Sequence, residues 1–368
     1  MIYIYLLLLA LCLEYFVILN LKINVDSKRN LFLLLVFIEI SLFLGVRDSL
    51  SGTDTIGYLH YYYEMGDSSV LAQMHFGVFE IGYAYLNKLL YLIVGYHPAI
   101  LFCVLGALTI GPVLYTLQKG KYVLLSVLTW CILNGLNTAI ANLRQAVALS
   151  WCLLGYFFLL KRKYWLALFT VLFAASFHLS AICMVIIFPL YYIAKRTKLT
   201  PLYLFGCILP VTVLIVIFIR PFLEVLINLS GVYTSYLARA NTGLGSILYC
   251  IFTFFIFMVS YLTYHHQMNR LDVEQQTNFK FLLFLNLIGF VLYTATIHGG
   301  STRMALYFTS IYVWLLPMIP LYFTNKRLQL VGACMVGLGL ICVLFIFSFI
   351  PSGFANEASS YVPFFMSR

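Results

Sequence analysis

Charge is scarce in this sequence. Asp, Glu, Lys and Arg make up 9% of the 368 residues, while 63% are hydrophobic. No soluble core hides that much apolar side chain, so a soluble fold is excluded and the chain reads as an integral membrane protein. Acidic residues are rarer than basic ones, 12 against 22, giving a formal net charge of +10. In a soluble chain that excess would suggest nucleic acid. Here it lies in short basic loops between apolar runs, which membrane topology explains, and no nucleic-acid partner is expected. Nine cysteines occur, at 12, 103, 131, 152, 183, 207, 250, 334 and 342, each inside an apolar run. They offer no CxxC spacing and no pair in loops, which argues against a thiolate metal site and a disulfide framework. No Asp-x-Asp lies in an outer segment to hold a divalent ion with a diphosphate, so no metal or other cofactor is expected. The N-terminal MIYIYLLLLA lacks the basic stretch of a cleaved signal peptide and is expected to be the first span.

What is abundant is apolar sequence in blocks of bilayer length. Against the roughly 20 residues a crossing requires, spans are predicted at about 2–20, 30–46, 98–117, 122–140, 143–160, 164–177, 179–194, 201–220, 245–264, 281–297, 304–323 and 328–350. The expected fold is all-α and polytopic, with about twelve transmembrane helices. Residues 1–368 form one integral membrane domain with both termini outside. Outer loops are predicted at about 47–97 and 221–244, and a cytoplasmic loop at about 265–280. The stretch FEIGYAYLNKLLYLIVG is amphipathic and predicts an interfacial or re-entrant helix. The two short spans that meet at Phe177-His178 are expected to dip to a polar cavity below the outer surface.

The basic residues then sort by side. Fifteen fall in loops that the positive-inside rule places in the cytoplasm, and ten of these are Lys. The seven outer ones are Arg47, Lys88, Arg144, Arg220, Arg239, Arg303 and Arg368, six of them Arg. Topology alone asks for no outer arginine. Guanidinium offers a planar fork matched to phosphate oxygens, and an Arg near a bilayer face is costly without an anionic partner. A phosphate-bearing ligand on the outer side is therefore expected, with Arg47, Arg144 and Arg303, each at an outer helix end, as the candidate diphosphate-binding set. Arg220 is a weaker candidate of the same kind.

Asp54, Glu80 and His178 are the candidate catalytic residues, because an outer carboxylate or neutral imidazole can take a proton from a sugar hydroxyl. Pairing of the acids with outer arginines is the competing structural role. Gln145, His298, Arg239 and Tyr58 are further candidate substrate-binding residues, Tyr58 heading an aromatic patch with Tyr61, Tyr62 and Tyr63 that suits sugar stacking or an interfacial belt. His60 and Glu64, four apart, form a weak ligand pair lacking a third donor at useful spacing. Glu14 and Glu39, inside spans, read as structural polar contacts.

Taken in order, GVRDSLSGTD at 45–54, FEIGYAYLN at 79–87, NLRQA at 142–146, FHLSA at 177–181 and STRMALYF at 301–308 resemble the EpsG family of polysaccharide polymerases, relatives of the O-antigen polymerases. SYVPFF near the C-terminus resembles a family C-terminal segment. The resemblance implies a glycosyltransferase-C-like fold and a metal-independent glycosyltransferase of the bacterial cytoplasmic membrane, with its active site on the outer side. Its partners would be undecaprenyl-diphosphate-linked glycans, membrane lipid and a chain-length regulator protein. It would move a growing glycan from undecaprenyl diphosphate to the terminal sugar of an incoming lipid-linked repeat unit. Arg47, Arg144 and Arg303 would face the diphosphate, and Asp54, Glu80 and His178 the acceptor, with the base left open among them. The short second outer loop departs from related polymerases, where it is often larger. Two other classes stay open at this point: a flippase for the same lipid-linked sugar, and an outer-face glycan ligase or acyltransferase.

Overall fold

Backbone in lipid must satisfy its own N–H and C=O groups, and the apolar runs accordingly become helices. The computed structural model describes residues 2–66, 69, 80–118, 120–133, 135–196, 200–203, 205, 206, 210, 244–295, 303–349 and 361–363. Among the described residues every named element is helical, and an isolated bridge pairs Arg47 with Pro363. Among the described residues eight helices are long and apolar enough to cross a membrane. The pair Arg303–Thr309 and Tyr312–Tyr322, bent by 43° at its break, makes nine if it is one span.

The sequence predicts about twelve, and three predicted spans account for the difference. The run at 30–46 belongs to a helix, Val25–Gly45, whose Asp26, Lys28, Arg29 and Glu39 keep it out of the apolar class. The run at 164–177 forms a helix of 14 residues, about 21 Å at the helical rise and short of a hydrocarbon core of about 30 Å. The predicted span at 201–220 lies almost wholly outside the described residues.

The chain divides into two compact units, one of Met1–Val185 with the C-terminal Gly353–Arg368 and one of Ile186–Ser352. In the first unit, α1 (Ile2–Leu19) and α2 (Val25–Gly45) are joined by a capped turn. Asn24 Oδ1 accepts the Ser27 N–H at 2.7 Å, and Lys28 Nζ donates to the Leu19 carbonyl at 2.6 Å, which satisfies groups a helix end leaves orphaned. Then follow α3 (Thr55–Glu64), α4 (Ile81–Val94), α5 (Pro98–Leu117), α6 (Val123–Ile132), α7 (Gly135–Ala141), α8 (Leu143–Leu160) and α9 (Tyr164–Phe177). The expected amphipathic helix of the first outer loop is α4. Helix α8 packs on α9 and α5, and α5 packs on α2. The α8 window is 72% buried against 28% for α1, so α8 is the central helix and α1 a peripheral one. Small residues let α2 and α5 approach closely: a Cβ on Gly106 would sit 3.2 Å from Ser41 Cα, and one on Gly45 2.0 Å from Cys103 Sγ. Such close contact is what drives helix association where lipid removes the hydrophobic force.

A 3-10 turn, Leu179–Ile186, leads into α10 (Ile187–Arg196). The second unit continues with α11 (Leu244–Gln267), α12 (Val273–Ala295), α13 (Arg303–Thr309), α14 (Tyr312–Met318), a 3-10 turn at Ile319–Tyr322 and α15 (Lys326–Phe349). Helix α12 is its hub, packing on α10, α11 and α13. Its buried Asn286 accepts the Tyr312 hydroxyl at 2.8 Å, a polar tie between helices in a mostly apolar interior.

Candidate functional site

Within the first unit, the segments predicted to face outward converge at one end, where α2 stops, α7 gives way to α8, and α9 gives way to the 3-10 turn. The break between α7 and α8 is the centre of this arrangement. Asn142 caps α8, its Oδ1 accepting the Gln145 N–H at 3.3 Å and the Tyr58 hydroxyl at 3.0 Å. Arg144, the second residue of α8, therefore leaves a helix start whose orientation is fixed. Its Cζ lies 5.7 Å from the Tyr58 ring centroid and 5.6 Å from that of Tyr83, so two aromatic faces hold the cation.

Glu80, the residue before α4, joins three partners. One carboxylate oxygen accepts Arg144 Nη1; the other accepts the Leu179 N–H at 3.0 Å. His178 Nδ1 lies 3.3 Å from that second oxygen but without hydrogen-bond alignment. Burial pushes the Glu80 carboxyl up, yet His178, the Arg144 charge and the Leu179 amide outweigh it and hold the group below the usual carboxylate range. Glu80 is thus a fixed anion at neutral pH and a poor proton acceptor. Burial drives the hydroxyls of Tyr58 and Tyr61 up to about 12, against the lowering charge of Arg144, and raises Tyr83 further. None of these phenols is a base at neutral pH. His178 Nε2 makes no hydrogen bond among the described residues.

Arg47 stands at the helix end the sequence predicts, with its side chain buried. It lies just past α2, as expected, but is 4% exposed and points inward. Its Nε donates to the Leu44 carbonyl at 2.9 Å, Nη1 to Ile140 at 3.3 Å and Nη2 to Ala139 at 3.0 Å, with Cζ 4.7 Å over the Phe102 ring. The guanidinium thereby closes the carbonyl end of α7, where a cation is favoured by the helix dipole. Burial pulls its pKa down to about 10, with nearby tyrosines opposing, so it stays charged. In this conformation the guanidinium is engaged by three backbone carbonyls and one aromatic face.

Tyr58 and Gln145, the candidate substrate-binding residues of this region, are each 1% exposed: Tyr58 lies under Arg144 and Gln145 in the first turn of α8. The aromatic patch presents its buried face through Tyr58, Tyr61 and Tyr62, while Tyr63 stays exposed. Asp54 sits half-buried at the start of α3, one turn before Tyr58. Arg303 opens α13 in the second unit, as expected, and is exposed. Arg220, Arg239 and His298 lie outside the described residues. His60 Nε2 and Glu64 Oε1 do face each other at 3.0 Å, and among the described residues no group of three or more His, Cys, Asp or Glu is gathered to hold a metal ion.

Sequence reasoning missed the structural residues around Arg144. Asn142 carries a signal in retrospect, an Asn just before an apolar helical run, whereas Tyr83 carries none.

Comparison with curated proteins and with solved structures gives no match. A family model does match, that of the EpsG family, over residues 30–366, and it takes in the Glu80, Arg144 and His178 cluster. The chain therefore belongs to the EpsG family, a family of polysaccharide polymerases.

Proposed function

We propose that this protein polymerises lipid-linked oligosaccharide repeat units on the outer face of the bacterial cytoplasmic membrane. The growing glycan leaves undecaprenyl diphosphate and joins the terminal sugar of an incoming lipid-linked unit. The observation that carries the reading is Glu80, which holds an arginine and a histidine together at one end of the first unit.

Glycosyl transfer needs two things at one place. As the bond from the anomeric carbon to the phosphate oxygen breaks, its electron pair leaves with the diphosphate, whose growing negative charge Arg144 is set to neutralise. As the acceptor hydroxyl oxygen bonds to that carbon, its proton passes to His178 Nε2. Glu80 orients the imidazole through Nδ1 and stabilises the imidazolium that forms. The unaligned 3.3 Å contact fits a site without substrate, since catalytic hydrogen bonds tighten in the reacting complex. In this reading Asp54 joins the acceptor contacts and Arg47 braces the carbonyl end of α7; that Arg303 also meets a diphosphate rests on the sequence alone.

The test uses Arg144→Lys and His178→Gln in cells lacking the native gene. Lys keeps the charge but loses the fork, and polymer should fall on the order of 10²-fold or more. His178→Gln should fall by about 10²- to 10⁴-fold. Both proteins should still accumulate in the membrane, with single repeat units displayed outside. Normal polymer from Arg144→Lys would overturn the site; repeat units trapped inside would mark a flippase, and undisturbed single-unit glycans on the final acceptor set polymerase apart from ligase.

A further inference from the structure

We propose that the segment 361–363 is a positioning strap for this site: Tyr361 and Val362, acting through Ser51, hold the loop 47–54 so that Tyr58 and Arg144 are set in place. The inference rests on the polymerase reading above for its activity arm alone.

Val362 has both its backbone groups taken by one buried side chain. Ser51 Oγ donates to the Val362 carbonyl at 2.8 Å and accepts the Val362 N–H at 2.8 Å, while the Asp48 N–H donates to the same carbonyl at 2.7 Å. Beside it, Arg47 and Pro363 pair as an antiparallel bridge. Tyr361 is 1% exposed, its ring stacked on Phe43 with centroids 4.1 Å apart and planes 8° apart, and its hydroxyl donates to the Phe43 carbonyl. Ordering a segment costs backbone entropy, and this one is bound by a stacked ring and a small ladder, on both the last turn of α2 and the loop beyond it.

From Ser51 the contacts run to the site without a gap. The Ser51 carbonyl accepts Thr55 Oγ1, fixing the first turn of α3. Gly52, at φ +83°, lets the loop lie flush on α7, where a Cβ would come 2.0 Å from the Ile140 carbonyl oxygen. One turn on, Tyr58 reaches Asn142 and underlies Arg144. Tyr361, Val362 and Ser51 touch no reacting group on this path, so they position rather than catalyse. A contiguous path becomes coupling only when perturbing one end moves the other.

Four variants of the protein test this: Tyr361→Ala, Tyr361→Phe, Ser51→Ala and a truncation ending at Ser360. Each is measured for accumulation, for polymer per molecule of protein, and for hydrogen exchange at the backbone amides of residues 48–58. Tyr361→Ala and the truncation should accumulate, lose exchange protection at 48–58, and make about tenfold less polymer or lower still, as slight misplacement of a catalytic group does. Tyr361→Phe keeps the stack and the ladder and should stay within about twofold of wild type. Unchanged protection in Tyr361→Ala and the truncation would overturn the strap; lost protection with normal polymer per molecule would overturn its positioning role. Should either fail to accumulate, Ser51→Ala decides, with normal protection and normal polymer overturning the proposal. The exchange arm does not depend on the reaction, so normal polymer from Arg144→Lys would sink the site assignment while the strap is still read separately.

Discussion

Glu80 and Arg144 pair side chain to side chain across 64 residues of sequence, and the second oxygen of the same carboxylate takes the first amide of the turn that follows His178. Glu80→Gln keeps the shape of this hub and breaks its logic. The single carbonyl oxygen of Gln serves one donor, and its NH₂ turns toward another donor. Arg144 then loses its counter-charge and His178 its orienting group. Polymer should fall on the order of 10²-fold while the protein still accumulates, read as ladder intensity at matched protein level. A wild-type ladder would remove the carboxylate from the mechanism.

The same hub predicts a pH dependence of stability. The folded Glu80 carboxyl titrates below its ordinary value of 4.5, so the unfolded chain binds the proton first. Its stabilisation is complete above about pH 4.5 and is lost as pH falls through the lower, folded value. Melting of the detergent-solubilised protein between neutral and acid pH should therefore steepen below that point in wild type and be flatter in Glu80→Gln. Parallel curves would mean that the pairing does not persist in solution.

Arg47→Lys separates a structural arginine from a substrate-binding one. An ammonium is a compact point charge and does not span carbonyls on Leu44, Ala139 and Ile140 as the fork does. Losing such charge-assisted bonds in a buried place should cost about 2–3 kcal/mol, seen as a lower melting temperature and less accumulated protein. Full stability with lost polymer would return Arg47 to the diphosphate.

These contrasts show which parts of the site could be read from sequence. Helix ends were legible because bilayer length and basic-residue asymmetry constrain them, and Arg47, Arg144 and Arg303 do stand at such ends. The pairing of an outer acid with an outer arginine was legible in kind, since both are costly alone near lipid. That Glu80 is the acid was not, because nothing local links positions 64 apart. Tyr58, Tyr61 and Tyr62 share a buried face at helical spacing, but periodicity gives a face without saying which way it turns. Arg47 illustrates the same limit: its position past α2 is written in the sequence, whereas its inward turn depends on carbonyls of α7, 92 and 93 residues away. The Ser51 and Val362 ladder, 311 residues apart, is beyond any local signal.

Arg303 offers the sharpest comparison with Arg144. Both begin helices: Arg144 pairs with Glu80 beside two aromatic rings, and Arg303 is exposed at the start of α13 in the second unit. An exposed arginine contributes little to folding, so Arg303→Lys should change stability by no more than about 0.5 kcal/mol. If its purpose is the phosphate-bearing ligand, turnover should nevertheless collapse, because Lys supplies the charge without the bidentate fork. Purified Arg303→Lys should therefore melt as wild type does and give no ladder when returned to cells. A normal ladder would remove Arg303 from anion binding.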